Sequence, residues 1–222
     1  MFKKRFQISP SILSADFVNL QKEVEAVTAA GADFIHVDVM DGHFVPNLTI
    51  GAPVVEALKR VSSLPLDCHL MISNPEKYIE DFARAGADII TIHYELSGTS
   101  RTPEVLAQQI KRAGCRAGLS IKPLTKASEI FEFLKYFDLV LVMSVEPGFS
   151  GQKFMPDCAA KLVELRNEID RQNLKCLLEI DGGVNLETAK QCREADILVA
   201  GHAVFRAPAY DIAIQALKDS RG

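Results

Sequence analysis

The sequence lacks any apolar run long enough to cross a membrane. Its longest apolar stretches fall far short of the roughly 18 residues that a transmembrane helix requires. The first five residues, MFKKR, lead directly into a strand-like segment without the apolar region of a secretory signal. We therefore expect a protein that is neither inserted in a membrane nor exported, and no glycosylation at the N-L-T triplet of residues 47–49.

An excess of positive charge and paired cysteines are also missing. The formal net charge of −4 argues against a general nucleic-acid-binding surface. An anionic small molecule remains a candidate substrate, because backbone N–H groups can bind anions locally. The scattered spacing of the cysteines, without a C-x-x-C pair, predicts reduced structural thiols in a cytoplasmic protein. The five positions are Cys68, Cys115, Cys158, Cys176 and Cys192.

Strand-like and helix-like segments alternate along the whole chain. Several of the strand-like segments are nearly continuous apolar runs, which is typical of parallel strands covered on both faces. Amphipathic helices are predicted over residues 17–31, 75–86, 103–114 and 156–172. The eight predicted strands begin near Gln7, Phe34, Leu66, Ile89, Arg116, Leu139, Lys175 and Ile197.

This alternation predicts a parallel (β/α)8 barrel formed by residues 1–222 as one domain. The phrase Ala-Gly-Ala-Asp, at residues 30–33 and 85–88, twice closes a helix and opens a strand, and residues 194–196 echo it weakly. A doubly wound open sheet is the alternative, but no G-x-G-x-x-G follows the first strand. In a barrel the active site lies at the C-terminal ends of the strands.

Polar residues on the inward faces of three predicted strands indicate a metal site. His36 and Asp38 alternate on the second strand, His69 lies in the third, and Asp181 closes the seventh. Two imidazoles and two carboxylates form a plausible site for one divalent cation, which would neutralise the buried carboxylates. The spacing alone does not distinguish Zn²⁺ or Fe²⁺, the leading candidates, from Mn²⁺ or Co²⁺. His93, in the fourth strand, is interpreted as a hydrogen-bonded core residue.

Methionines and glycines add two further features near the same strand ends. Met40, Met71 and Met143 fit either ordinary core packing or an apolar wall around a reactive intermediate. Glycine-rich loops follow the sixth, seventh and eighth strands at residues 147–152, 181–184 and 200–203. Each loop alone is also explained by glycines that a tight turn requires, but three such loops in succession at one end of a barrel favour a phosphate-binding site.

Five stretches of the sequence closely resemble the ribulose-phosphate 3-epimerase family. They are SPSILSAD at 9–16, HVDVMDGHFVPN at 36–47, DCHLM at 67–71, MSVEPGF at 143–149 and DGG at 181–183. The motifs occur in the order and spacing of the family and span nearly the whole chain. The resemblance implies a homo-oligomeric (β/α)8 barrel that interconverts D-ribulose 5-phosphate and D-xylulose 5-phosphate in the pentose phosphate and carbon-fixation pathways.

The resemblance also implies roles for individual residues. His36, Asp38, His69 and Asp181 match the metal ligands of the family, and Asp38 and Asp181 match its acid/base pair. Met40, Met71 and Met143 match its methionine wall. The implied substrate contacts are Ser11, His69, Gly148, Phe149, Ser150, Gly151, Gly182, Gly183, Gly201 and His202.

Two positions depart from the family pattern. Ser150 stands where the family commonly has glycine, and His202 stands where it usually has serine. A small serine is expected to preserve the loop, whereas two alternatives are open for His202: it bonds the phosphate when protonated, or it points away from it. The reaction itself is not put in doubt by either change.

Epimerisation explains why two carboxyl groups are needed. A proton must leave C3, beside the C2 carbonyl, and another must return to the opposite face of a planar enediolate. Asp38 and Asp181, on separate strands, fit this requirement if one is protonated at rest. The alternatives are a 3-epimerase of a hexulose phosphate such as allulose 6-phosphate, a related metal-dependent lyase, and a non-catalytic sugar-phosphate-binding barrel.

Overall fold

Eight parallel strands form the centre of the computed structural model, which describes residues 5–96 and 101–221. The strands pair in the order β1-β8-β7-β6-β5-β4-β3-β2, and a parallel bridge between Ser11 and His36 brings the two outer strands together. The predicted (β/α)8 barrel is confirmed. The strands are β1 (Gln7–Pro10), β2 (Ile35–Met40), β3 (Leu66–Met71), β4 (Ile89–His93), β5 (Arg116–Ile121), β6 (Leu139–Met143), β7 (Leu177–Asp181) and β8 (Ile197–Ala200).

Helices occupy most of the connections between strands. The predicted helices near 17–31 and 75–86 each begin as a 3₁₀ turn, Phe17–Asn19 and Pro75–Lys77, before the α-helix proper. Between β5 and β6 two 3₁₀ turns, Ala127–Ile130 and Leu134–Tyr136, take the place of an α-helix. The α-helices are α1 (Leu20–Ala29), α2 (Ala52–Val61), α3 (Ile79–Ala85), α4 (Pro103–Arg112), α5 (Asp157–Arg171), α6 (Leu186–Ala189), α7 (His202–Phe205) and α8 (Tyr210–Asp219).

Four aspartates make the same contact at the N-terminal end of the barrel. Asp33, just before β2, accepts a hydrogen bond from the Ile8 N–H of β1, with 2.8 Å between the atoms. The arrangement recurs at every second strand and ties neighbouring βα units together, and two of the four aspartates, Asp33 and Asp88, belong to the Ala-Gly-Ala-Asp phrase. The other three pairs are Asp88 with Leu66, Asp138 with Ala117, and Asp196 with Leu178.

Buried apolar side chains of the described residues form three separate clusters, the smallest of which contains Met40, Val45 and Met71. The largest cluster lies between the strands and the surrounding helices and includes Val37, Leu70 and Ile180, all fully buried. A second cluster includes Phe34, Leu141 and Ile197. No helix in the described part of the chain is both long and apolar enough to span a membrane. All five cysteines are buried and free, as predicted.

Candidate active site at the barrel mouth

The four predicted metal ligands come together near the C-terminal ends of three strands. In the pairing of β2 with β3, Asp38 lies opposite His69, while His36 is two residues earlier on the same face of β2. Asp181 is the last residue of β7. One donor atom from each of the four side chains lies within 4.8 Å of the others. The alternation of inward-facing residues therefore produces the cluster that the sequence predicts.

The two imidazoles present different nitrogens to this cluster. His36 Nδ1 is 2.8 Å from Asp67 Oδ2, so its Nε2 faces Asp38 Oδ1 at 3.4 Å. This Nε2 is buried and makes no well-formed hydrogen bond with any residue of the described ranges. His69 directs Nδ1 to the same Asp38 oxygen at 3.3 Å. An orphaned buried nitrogen beside a second imidazole and two carboxylates fits a divalent cation.

The two carboxyl groups differ in acidity. Burial would raise the pKa of Asp38, but the adjacent His36 imidazole outweighs burial and holds that pKa well below its ordinary value. Ser11 reinforces the ionised form, because its hydroxyl donates to Asp38 Oδ2 at 2.6 Å. Burial, together with the charge of Asp38, raises the pKa of Asp181 to about 7. These side chains therefore favour one carboxylate and one carboxylic acid near neutral pH.

Two acidic residues below the cluster are not evident in the sequence. Asp67 and Glu179 lie two residues before His69 and Asp181, and with His36 they form a second, deeper group whose donor atoms are within 4.8 Å of one another. Burial, then the neighbouring Asp67, raises the pKa of Glu179 well above its usual range. Burial opposes the charge on His36, but Asp38 and Asp67 hold its pKa well above the ordinary value. The two-residue spacing along each strand is the signal that could have identified them.

His93 is buried and hydrogen-bonded, in agreement with its interpretation as a satisfied core residue, but it also contacts the site. Its Nε2 lies 2.9 Å from His69 Nε2, and its Nδ1 lies 3.0 Å from Glu95 Oε2. Burial lowers the pKa of His93 to about 4. Burial would raise the pKa of Glu95, but its hydrogen bond with His93 contributes to lowering it to about 2. Sequence reasoning did not identify Glu95.

The three methionines lie around one cavity at the barrel mouth. Met40 and Met71 pair across β2 and β3, and both are buried with Val45. Met143 lies opposite Asp181 in the pairing of β6 with β7. All three methionines line the cavity that also contains Asp38 and Asp181. The carboxyl groups of Asp38 and Asp181 therefore face a largely apolar wall on this side.

The glycine loops line the other side of the same cavity. Gly183 has a φ of 64°, and a Cβ on it would lie 2.5 Å from the Phe154 nitrogen, so only glycine fits. A Cβ on Gly201 would lie 2.4 Å from Ser14 Oγ. The other predicted substrate-contact residues that line this cavity are Ser11, Gly148, Phe149, Ser150, Gly151, Gly182 and His202.

His202 lies beside the loop that follows β6. Its Nδ1 is 3.1 Å from Ser14 Oγ, and its ring carbon Cε1 is 3.1 Å from the position that a Cβ on Gly151 would take. The side chain is therefore at the glycine-lined end of the cavity. The loop that follows β2 also reaches this region, because Asn47 Nδ2 donates to the Gly148 carbonyl at 2.7 Å.

Comparisons with known proteins agree with this geometry. A model of the ribulose-phosphate 3 epimerase family matches residues 7–205. Over 217 residues the chain is 49% identical to "Ribulose-phosphate 3-epimerase" of Mycobacterium tuberculosis (strain ATCC 25618 / H37Rv), covering 97% of this chain and 93% of the relative. Over 219 residues it is 47% identical to the protein of the same name from Bacillus subtilis (strain 168), covering 97% and 99%.

A solved structure shares the fold at much lower identity. It is described as KGPDC from Streptococcus mutans in complex with D-R5P, and it matches with a TM-score of 0.74, 14% identity and 97% coverage of both chains. At this identity the likeness concerns the barrel alone. The family model and the two relatives go further and confirm the resemblance, and with it the prediction of an isomerase: the chain belongs to the ribulose-phosphate 3-epimerase family.

Proposed function

We propose that this protein interconverts D-ribulose 5-phosphate and D-xylulose 5-phosphate by epimerisation at C3. The observation that carries the proposal is the pair Asp38 and Asp181, whose pKa values are displaced in opposite directions. They come from β2 and β7, which β8 and β1 separate in the barrel. The pair therefore provides a base and an acid from two directions around one cavity.

The proton transfers follow from this difference in acidity. Asp38, ionised and fixed by the Ser11 hydroxyl, removes the C3 proton of the ribulose epimer. Asp181, protonated at rest, donates a proton to the opposite face of the resulting enediolate. In the reverse direction the two residues exchange roles, as microscopic reversibility requires. Met40, Met71 and Met143 exclude water from the planar intermediate on one side.

We propose that activity depends on one divalent cation held by His36 Nε2, His69 Nδ1 and one oxygen from each of the carboxyl groups of Asp38 and Asp181. The mixed nitrogen and oxygen donors favour Zn²⁺ or Fe²⁺, with Mn²⁺ or Co²⁺ as alternatives. When bound, the cation would supply Lewis-acid stabilisation of negative charge on the substrate oxygens.

The phosphate group of the substrate is assigned to the glycine-lined end of the cavity. Backbone N–H groups of Gly182, Gly183, Gly201 and the loop at 148–151 are the proposed donors, with His202 as an additional side-chain contact. The hydrogen bond between Asn47 and the Gly148 carbonyl couples the loop after β2 to the loop after β6. We propose that these two loops close together over the substrate and exclude water.

Three broader assignments accompany this function. We propose a role in the pentose phosphate pathway, a homo-oligomeric assembly and a cytoplasmic location. The five free, buried thiols support the location, because they need no oxidising compartment. Light scattering during size-exclusion chromatography tests the assembly, and a monomeric mass at micromolar concentration would contradict it.

An NMR assay in deuterium oxide tests the reaction. D-ribulose 5-phosphate is added to metal-loaded protein and to protein treated with a chelator. We expect xylulose 5-phosphate carrying deuterium at C3 with the loaded protein alone. Turnover of D-allulose 6-phosphate but not of the pentose would identify a hexulose-phosphate epimerase instead. Binding of either sugar without deuterium exchange would indicate a non-catalytic sugar-phosphate-binding protein.

A further inference from the structure

His93 and Glu95 extend the proposed metal site toward the rim of the barrel. From Asp38 a chain of contacts runs through His69 and His93 to Glu95, with nitrogen–oxygen or nitrogen–nitrogen distances of 3.3, 2.9 and 3.0 Å. Both imidazoles are buried, and the Phe44 ring lies 4.8 Å from the His93 ring, measured between centroids. The chain therefore links a proposed ligand to a carboxylate that is not a ligand.

Glu95 is the fixed end of this chain. Its Oε1 accepts hydrogen bonds from the Lys122 backbone N–H at 2.7 Å and from the Thr125 hydroxyl at 2.5 Å. A backbone N–H can only donate, so this oxygen has to act as an acceptor. Its second oxygen, Oε2, accepts from His93 and thereby requires a hydrogen on His93 Nδ1.

The positions of the other imidazole hydrogens follow from the distance between the His69 and His93 rings. Nitrogens of His69 and His93 that lie 2.9 Å apart form a hydrogen bond if one carries hydrogen and the other a lone pair. With hydrogen on Nδ1, a neutral His93 has its lone pair on Nε2 and accepts from His69 Nε2–H. The opposite order would place hydrogen on both His93 nitrogens and leave a cation in a buried ring. His69 therefore keeps its lone pair on Nδ1, on the side of Asp38.

We propose that His93 and Glu95 are positioning residues that hold His69 in the Nε2–H tautomer, so that the Nδ1 lone pair points into the cation site. This inference rests on the metal site of the proposed function. Partners that fix the tautomer of a ligating histidine typically change metal affinity by about 10- to 100-fold when they are altered.

Glu95→Gln tests which atom donates in each hydrogen bond from Glu95 to His69, because glutamine has nearly the same size and shape as glutamate. Glutamine has a single side-chain oxygen, and the donors Lys122 and Thr125 compete with His93 for it. If the oxygen stays with the two donors, the amide hydrogens face His93 Nδ1, which then has to accept. The hydrogens along the chain reverse, and His69 carries hydrogen on Nδ1. We expect Zn²⁺ affinity, measured by competition with a chromogenic chelator, to fall about 10- to 100-fold.

Two substitutions at His93 provide a matched pair. His93→Phe keeps a ring but removes both nitrogens, and we expect a loss of Zn²⁺ affinity like that of Glu95→Gln. His93→Gln can still offer a carbonyl oxygen to His69 Nε2–H, and we expect most of the affinity to return. Glu132→Gln, at an exposed glutamate outside the chain of contacts, is the control and should bind Zn²⁺ as the unaltered protein does.

A direct readout of the tautomer needs no variant. In metal-free protein, two-bond ¹⁵N–¹H correlation spectra of the histidine side chains should show hydrogen on His69 Nε2. Hydrogen on Nδ1, or Glu95→Gln protein that binds Zn²⁺ as tightly as the unaltered protein, would overturn the inference and leave the metal site intact. No Zn²⁺ binding by the unaltered protein would instead remove the metal site itself, and this inference with it.

Discussion

The two imidazoles of the site are supported in different ways. His36 bonds directly to Asp67, a neighbour on β3 that is 1% exposed and lies inside the barrel. His69 reaches a carboxylate through His93, and the carboxylate, Glu95, is 20% exposed in the turn after β4. We refer to Asp67 and Glu179 as the inner support and to His93 and Glu95 as the outer support.

The two supports differ in how their substitution should affect the free energy of unfolding. At the inner support, charges are removed from water when the strands assemble, so their balance is part of the folding free energy. At the outer support, Glu95 is partly hydrated and is held by donors from the loop after β5. Changes at the inner support should therefore alter stability, whereas changes at the outer support should alter the site with less effect on stability.

The largest expected effect is the loss of stability in Asp67→Ala. Removing this carboxylate leaves the His36 imidazole buried without its partner, and we expect the free energy of unfolding to fall by about 3–5 kcal/mol. For Glu95→Ala we expect a fall of no more than about 2 kcal/mol, since Lys122 and Thr125 are partly exposed and His93 is the one buried partner left without the carboxylate. Urea denaturation of both metal-free variants measures the difference, and equal losses would contradict the comparison.

A second prediction concerns the pH dependence of the inner support. Because the pKa of Glu179 is raised in the folded protein, this residue favours folding fully below its unfolded pKa of about 4.3 and progressively less as pH rises toward the folded value. Glu179→Gln removes this loss. We expect its stability, relative to the unaltered protein, to increase by up to about 1.4 kcal/mol per pH unit between pH 5 and the folded pKa.

Urea denaturation of metal-free protein at several pH values checks this prediction. Glu164→Gln is a useful control, because Glu164 is an exposed acidic residue of α5. A constant stability difference between Glu179→Gln and the unaltered protein across the pH range would show that Glu179 is ionised in the fold.

A third prediction concerns the pH dependence of metal affinity. A cation has to displace the proton of His36 Nε2, because the pKa of this imidazole is held well above its usual value, whereas Asp181, whose pKa is raised to about 7, can ligate through one oxygen and keep its proton on the other. Burial lowers the pKa of His69, so this ring needs to lose no proton. Apparent Zn²⁺ affinity should therefore rise with pH, by about tenfold per unit for each proton displaced.

Variants of the inner and outer supports should change the pH dependence of Zn²⁺ affinity in different ways. Asp67→Asn removes a charge that holds the proton on His36, so the rise in Zn²⁺ affinity above pH 7 should become shallower. Glu95→Gln should lower the affinity and leave the slope unchanged. Chelator competition between pH 6 and pH 9 measures both, and a steeper slope in Asp67→Asn would contradict the assignment.

Much of this arrangement could be predicted from the sequence, because strand position and inward direction are local properties. Alternation places His36, Asp38 and His69 on inward faces, and parallel strands bring their C-terminal ends together. The partners could not be predicted in the same way. Whether Asp67 meets His36, or Glu95 meets His93, depends on the register between strands and on side-chain rotamers, which no single segment specifies.

The connection between β5 and β6 shows another limit. Residues 122–138 form short 3₁₀ turns, and the contact of this segment with Glu95 through Lys122 and Thr125 is a tertiary feature. His93 is buried and hydrogen-bonded, as the sequence predicts, but the same hydrogen bonds also connect it to the proposed ligand His69. Local pattern thus identifies the ligands more readily than the groups that orient them.

The most direct test of the two-carboxylate account is isotope exchange in single variants. Metal-loaded Asp38→Asn and Asp181→Asn proteins are each incubated with D-ribulose 5-phosphate in deuterium oxide, and C3 is followed by NMR. We expect Asp181→Asn to exchange the C3 hydrogen of ribulose 5-phosphate for deuterium without forming xylulose 5-phosphate, because Asp38 still removes the proton from that face. Asp38→Asn should show neither exchange nor epimerisation. Xylulose 5-phosphate formed by either variant at a near-normal rate would contradict the account.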